Sequence, residues 1–135
     1  MALFEWEEKF SVGINSMDSH HQKLFAIINK LHEAAAAGQA TDIIGSFIKE
    51  LIDYTKYHFS EEEKLLESIN YRGLAAQKQA HITFIAKMEE YQEETAKGLG
   101  VFVVTKVSST ATDWLKNHIL TMDKQYEAEL KAKGL

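Results

Sequence analysis

The chain has no cysteine and no proline. Without cysteine there is no disulfide, no thiolate metal ligand and no thiol nucleophile. Without proline no helix interior is interrupted by a missing backbone donor, so long helices are permitted. Positive charge is also scarce: 15 Lys and Arg stand against 20 Asp and Glu, for a formal net charge of −5. That balance speaks against nucleic acid or an anionic membrane surface as partner. No run approaches the ~18 apolar residues of a membrane span. The acidic stretch from Met1 to Phe10 lacks the basic-then-apolar order of a signal peptide, and a cytoplasmic protein is the default expectation. No Gly-x-Ser-x-Gly setting and no glycine-rich phosphate loop occurs, which argues against nucleophilic hydrolysis. With 135 residues, 45% of them hydrophobic and 26% charged, the chain reads as one soluble domain spanning 1–135 with a sizeable core.

Hydrophobic spacing then sets the organisation. Residues 1 to about 18 read as an extended arm, with Phe4, Trp6, Phe10, Val12 and Ile14 apolar at even spacing and Gly13, Asn15, Ser16 and Asp18 discouraging helix. A first helix is expected from about Ser19 to Ala37, ended by Gly38, on the 3- and 4-residue spacing of Leu24, Phe25, Ile28, Leu31 and Ala35. A second starts near Thr41 as N-cap and is broken by Asn70, Arg72 and Gly73. A third covers about Leu74 to Lys97, ended by Gly98 and Gly100, and a fourth about Phe102 to Lys131. Four amphipathic helices with short loops predict an all-α, up-down-up-down four-helix bundle carrying an N-terminal arm.

Each predicted helix carries one histidine on its apolar face: His21, His58, His81 and His118. A bundle turns those faces inward, so the imidazoles should converge. His58 and Glu62 are four residues apart and share a face. Alone, a His-x-x-x-Glu pair is usually an exposed ion pair, and a single histidine on an apolar face is usually a hydrogen-bonded core residue. The coincidence over four helices is what favours a metal, because buried imidazoles and carboxylates need partners. Imidazole plus carboxylate without thiolate suits iron, manganese or zinc. His118 and Asp123 fit less well. Five residues turn a regular helix by ~500°, which leaves the two side chains ~140° apart, so a local distortion is required. His20, ~100° from His21, is expected at the surface. Glu61 and Glu63 are expected in solvent, and His32 at the rim.

As an ordered set, several motifs resemble the hemerythrin family, specifically its single-domain bacterial members. They are Phe4-x-Trp6 through Val12-Gly13-Ile14, Asp18-x-x-His21-x-x-Leu24-Phe25, Tyr57-His58-Phe59-x-x-Glu62-Glu63, His81-x-x-Phe84, and Trp114-Leu115-x-x-His118-Ile119-x-x-x-Asp123. The resemblance covers nearly the whole chain, and the spacing of His118 and Asp123 is the family's own. It implies a four-helix bundle holding two non-haem iron ions with an oxo or hydroxo bridge. Glu62 and Asp123 would bridge the irons. His21 and His58 would hold the iron that leaves a position for dioxygen, and His81 and His118 the second iron. Leu24, Phe59, Trp114, Leu115 and Ile119 match the apolar pocket for dioxygen.

The departure is Gln77, four residues before His81, where the family pattern has a histidine. Gln77 is a further candidate ligand through its carbonyl oxygen; otherwise that position falls to water or to a nearby carboxylate. The resemblance thus implies a dioxygen carrier or store, monomeric by default. The alternative opened by Gln77 is a di-iron oxidoreductase of peroxidase or oxidase type, or a sensor, acting on dioxygen, peroxide or nitric oxide.

Overall fold

The computed structural model describes residues 5–134; Phe4, the first apolar position of the arm, lies outside them. Four long helices form the bundle: α1 (Asn15–Ala36), α2 (Ala40–Ser68), α3 (Leu74–Glu94) and α4 (Gly100–His118). A π-helical turn at Ile119–Asp123 leads without a break into α5 (Lys124–Ala132), so the last two helices act as one rod. The loops are a few residues long, and α1 packs on α2 and α4 while α3 packs on α2 and α4. Short connections force neighbours to run antiparallel, which gives the expected up-down-up-down order. No strand occurs among the described residues.

Apolar residues at helical spacing explain the packing. Leu24, Ile28 and Leu31 of α1, Ile44, Ile48 and Leu51 of α2, Met88 of α3, and Val103, Val107 and Ala111 of α4 are all essentially solvent-free. Gly38, with φ of 73°, takes the left-handed turn that ends α1, and Gly98, with φ of 85°, does the same between α3 and α4.

Several boundaries differ from expectation, and Gly100, expected to end a helix, instead begins α4. Helix α1 begins at Asn15, not Ser19, so the arm is shorter. Asp18, read as helix-discouraging, sits in the first turn, where a negative charge suits the helix dipole. Its carboxylate accepts hydrogen bonds from the Val12 backbone N–H at 2.8 Å and the Ser11 hydroxyl at 2.6 Å, which clamps the arm to the helix start. Thr41 lies inside the first turn of α2 and caps nothing; the cap position is Gln39, with no side-chain bond. Helix α3 is α-helical to Glu94 and runs on as a π-helical turn from Thr95 until Gly98 breaks it, so the expected end near Lys97 stands. The arm is not extended throughout, because Glu8–Phe10 form a 3-10 turn, but it packs on the domain as expected. Phe10 meets Phe25 edge-on at 5.1 Å, Trp6 covers Phe25 at 5.4 Å, and the Lys124 ammonium donates to the Ser11 carbonyl at 2.7 Å.

Antiparallel order also fixes where the polar residues fall. His21 lies near the start of α1, His58 and Glu62 near the end of α2, Gln77 and His81 at the start of α3, and His118 at the end of α4. In alternating helices those positions share one end of the bundle, and the apolar core fills the other.

Candidate metal centre

Seven polar residues are buried together at that end: His21, His58, Glu62, Gln77, His81, His118 and Asp123, none more than 5% exposed. Helical periodicity accounts for all but one. Asp123 reaches the interior because the π turn takes up one extra residue between it and His118. This is the distortion that the spacing required.

The two carboxylates divide their oxygens between the same two groups of imidazoles. Glu62 Oε2 lies 3.8 Å from His21 Nε2 and 3.7 Å from His58 Nε2, while its Oε1 lies 3.0 Å from His81 Nε2. Asp123 Oδ2 lies 3.3 Å from His21 Nε2, and its Oδ1 lies 3.1 Å from His118 Nε2. Two sets of converging donors follow, His21–His58–Glu62 and Glu62–His81–His118, with all ligand atoms of each set within 4.8 Å of one another. Glu62 belongs to both.

Close approach has not produced hydrogen bonds. His21 Nε2, His81 Nε2, His118 Nε2, Glu62 Oε1 and Asp123 Oδ2 are fully buried and have no hydrogen-bond partner, because the short contacts between them are misaligned. Burying so many unsatisfied groups is costly, and cations between the two carboxylates would satisfy them. Imidazole nitrogens and carboxylate oxygens form a donor set that accepts iron, manganese or zinc. The residues present therefore fit a dinuclear metal centre.

Charge is distributed unevenly around the cluster. Burial pushes the carboxyl of Glu62 upward, but His58, His21 and His81 outweigh it and hold Glu62 well below the usual range. Burial and the charge of Glu62 push Asp123 upward, and His118 and His21 outweigh them. For His21, burial is overcome by both carboxylates, and its pKa rises to about 9. For His58, burial wins and its pKa falls to about 3, with the charge of His21 adding to the fall. The contrast has a geometric cause: His21 touches both carboxylates, His58 only Glu62.

The outer side of the cluster holds residues that sequence spacing misplaced. His20 is not a free surface residue. Its Nδ1 lies 2.9 Å from Nδ1 of His58, the nitrogen turned away from Glu62, and its ring packs beside Tyr57 and Tyr54. Glu63 is not simply solvated either, since its Oε2 sits 2.7 Å from Nδ1 of His81. Tyr126 donates its hydroxyl to Glu62 Oε2 at 2.8 Å and is fully buried. Burial and the charges of Glu62 and Asp123 hold that phenol well above its ordinary pKa. Partners of this kind fix ring orientation and tautomer in metal sites. His32 is half-buried as expected and bonds to Ser108 at 3.0 Å, away from the cluster.

The apolar candidates surround the same end. Leu24, Phe59, Leu115 and Ile119 are buried. Phe59 stacks flat on His81 at 3.8 Å, and Trp114, partly exposed, stacks on His118 at 4.3 Å.

This geometry can be set beside known proteins. Residues 12–130 match the family model described as the hemerythrin HHE cation-binding domain. The chain belongs to the hemerythrin family. It is 36% identical to the bacteriohemerythrin of Clostridium acetobutylicum over 92% of this chain and 98% of that protein. It is 33% identical to that of Stenotrophomonas maltophilia, over 98% of this chain and 84% of that protein. The bacteriohemerythrin of Methylococcus capsulatus is also 33% identical, over 98% of this chain and all of that protein. A crystal structure of wild-type hemerythrin superimposes with a TM-score of 0.84 at 30% identity, covering 96% of this chain and 98% of that one. Family membership and the histidine–carboxylate cluster together assign a metal site and, in general terms, the oxygen-binding chemistry of hemerythrins. No helix among the described residues is long and apolar enough to cross a membrane.

Proposed function

We propose that the protein is a non-haem di-iron dioxygen-binding protein serving carriage, storage or delivery. His21 and His58 would hold one iron and His81 and His118 the other, with Glu62 and Asp123 as the carboxylates shared between them. One observation carries the reading: each carboxylate places one oxygen toward each imidazole group. When bound, the ferrous pair supplies the electrons that let dioxygen bind. The protein's part is to hold the pair at fixed spacing, to keep Glu62 ionised, and to exclude water. Burial of Leu24, Phe59, Leu115 and Ile119 supports the last role, since a dry pocket hinders proton delivery and loss of reduced oxygen.

The test is the visible spectrum of the anaerobic ferrous protein, exposed to air and returned to argon. A charge-transfer band that appears and then disappears, with recovery of the ferrous form, is expected of reversible binding. Direct passage to a permanently oxidised spectrum favours a second reading, an oxidoreductase or sensor acting on dioxygen, peroxide or nitric oxide. The observation favouring that reading is Gln77, which stands buried where a third imidazole of the second iron would be.

A further inference from the structure

Gln77 and His81 are one turn apart on the same face of α3, and both are buried. The Gln77 amide is oriented by its neighbour. Its Nε2 donates to Asp123 Oδ1 at 2.9 Å, the same oxygen that lies 3.1 Å from His118 Nε2. The opposite orientation would set a carbonyl oxygen against a carboxylate oxygen, two acceptors facing each other. Gln77 therefore turns N–H groups, not lone pairs, toward the His81–His118 position. A primary amide has two such donors, and Asp123 occupies one. The carbonyl Oε1 is buried and has no hydrogen-bond partner.

A second feature touches His81 on its outer side, where Nδ1 meets Glu63. A surface cavity of about 340 Å³ lies between α2 and α3, and its lining includes Phe59, Ser60, Glu63, His81, Ile82 and Glu89. It brings solvent to the edge of His81, one turn from Gln77. No corresponding cavity among those described includes His21 or His58 in its lining.

We propose that the metal position of His81 and His118 carries a coordination site open to a small anion, with the spare Gln77 N–H as its hydrogen-bond donor. The proposal rests on the two-iron reading above. Gln77 is then the clamp that keeps Asp123 in its bridging orientation and the recognition group for the anion, not a ligand. The result is a centre open at both metals, where the family pattern of three imidazoles closes one.

Azide is the probe, titrated into the iron-loaded full chain, with iron content, heat and the azide-to-iron absorption band as readouts. Wild-type protein should take up one azide more per chain than Gln77→His, at equal iron content. Gln77→Leu should keep the extra azide but bind it about 10-fold more weakly, the loss expected for one hydrogen bond to an anion. It also serves as the comparison should Gln77→His lose iron. Equal azide uptake by wild type and Gln77→His would overturn the proposal. So would an extra azide that appears only in Gln77→Leu, since Gln77 would then itself be a ligand. Fewer than two irons in the wild-type chain would show instead that the two-iron reading is wrong, and the proposal would fall with it.

Discussion

His118 Nε2 lies 3.1 Å from Asp123 Oδ1, although five residues separate them along a helical rod. On a regular helix they would face ~140° apart. The π turn at Ile119–Asp123 removes that offset while α5 continues, with Tyr126 and Leu130 still buried. Such single π turns are local insertions that cluster at functional sites. The turn places both an imidazole and a carboxylate in the core, which two turns of ordinary helix could not do at this spacing.

Removing one residue from the turn tests its role. Deleting the partly exposed Leu120 shortens the spacing to four, at which an ordinary helix already presents both side chains on one face. The deletion should convert the π turn to α-helix and keep two metals per chain. Inserting an alanine after Leu120 should carry Asp123 out of the core and lower metal content. Metal analysis with circular dichroism reads both variants; a deletion variant that folds but holds no metal would show that the π geometry itself is required.

Glu62 is the residue common to both donor sets, so its removal should be the most damaging single change. Glu62→Ala leaves His21, His58 and His81 without their shared carboxylate and the Tyr126 hydroxyl without its acceptor. Bound metal should fall from about two per chain to one or none, because both ions lose a ligand. Retention of both metals in this variant would exclude Glu62 as a bridge.

His20 gives a finer test. With a metal held on Nε2, the His58 ring would carry its proton on Nδ1, which lies 2.9 Å from Nδ1 of His20 and could donate to it. His20→Ala should keep the metal count but weaken affinity at the His58 position by roughly 10- to 100-fold, the usual effect of losing such a partner. His20→Gln, which restores an acceptor, should recover much of it. Competition with a calibrated chelator measures the difference, and unchanged affinity in His20→Ala would mean that the contact does nothing for the metal.

The bundle and the convergence of His21, His58, His81 and His118 were legible in the sequence because both depend on a repeat of 3.6 residues. Side chains spaced three or four apart on antiparallel helices have little choice but to meet. What spacing could not reveal depends on neighbouring helices. His20 points ~100° from His21, and only the packing of α1 on α2 turns that direction toward His58. Glu63 was hidden in the same way, because its partner His81 lies on α3. Asp18 looked like a helix breaker when judged by propensity, yet its bonds to Ser11 and Val12 make it a helix starter. The π turn had no glycine or proline to announce it. Only the mismatch between five residues and one helix face pointed there.

The opposed shifts of His21 and His58 predict how the metal-free protein responds to pH. His21 is raised to about 9 in the folded state from an ordinary ~6.5. Its stabilising contribution is complete below pH ~6.5 and is lost as pH rises through about 9. His58 is lowered to about 3, so its contribution is complete above pH ~6.5 and is lost as pH falls toward 3. Together they place the greatest stability of the metal-free chain near pH ~6.5, with a decline on both sides. Metal must displace the proton of His21, so loading should release protons at neutral pH and strengthen as pH rises toward 9. Thermal melts of chelated protein from pH 4 to 10 measure the curve. His21→Gln should flatten its alkaline side and His58→Gln its acid side. An alkaline decline unchanged in His21→Gln would mean that this imidazole is not the cation between the two carboxylates.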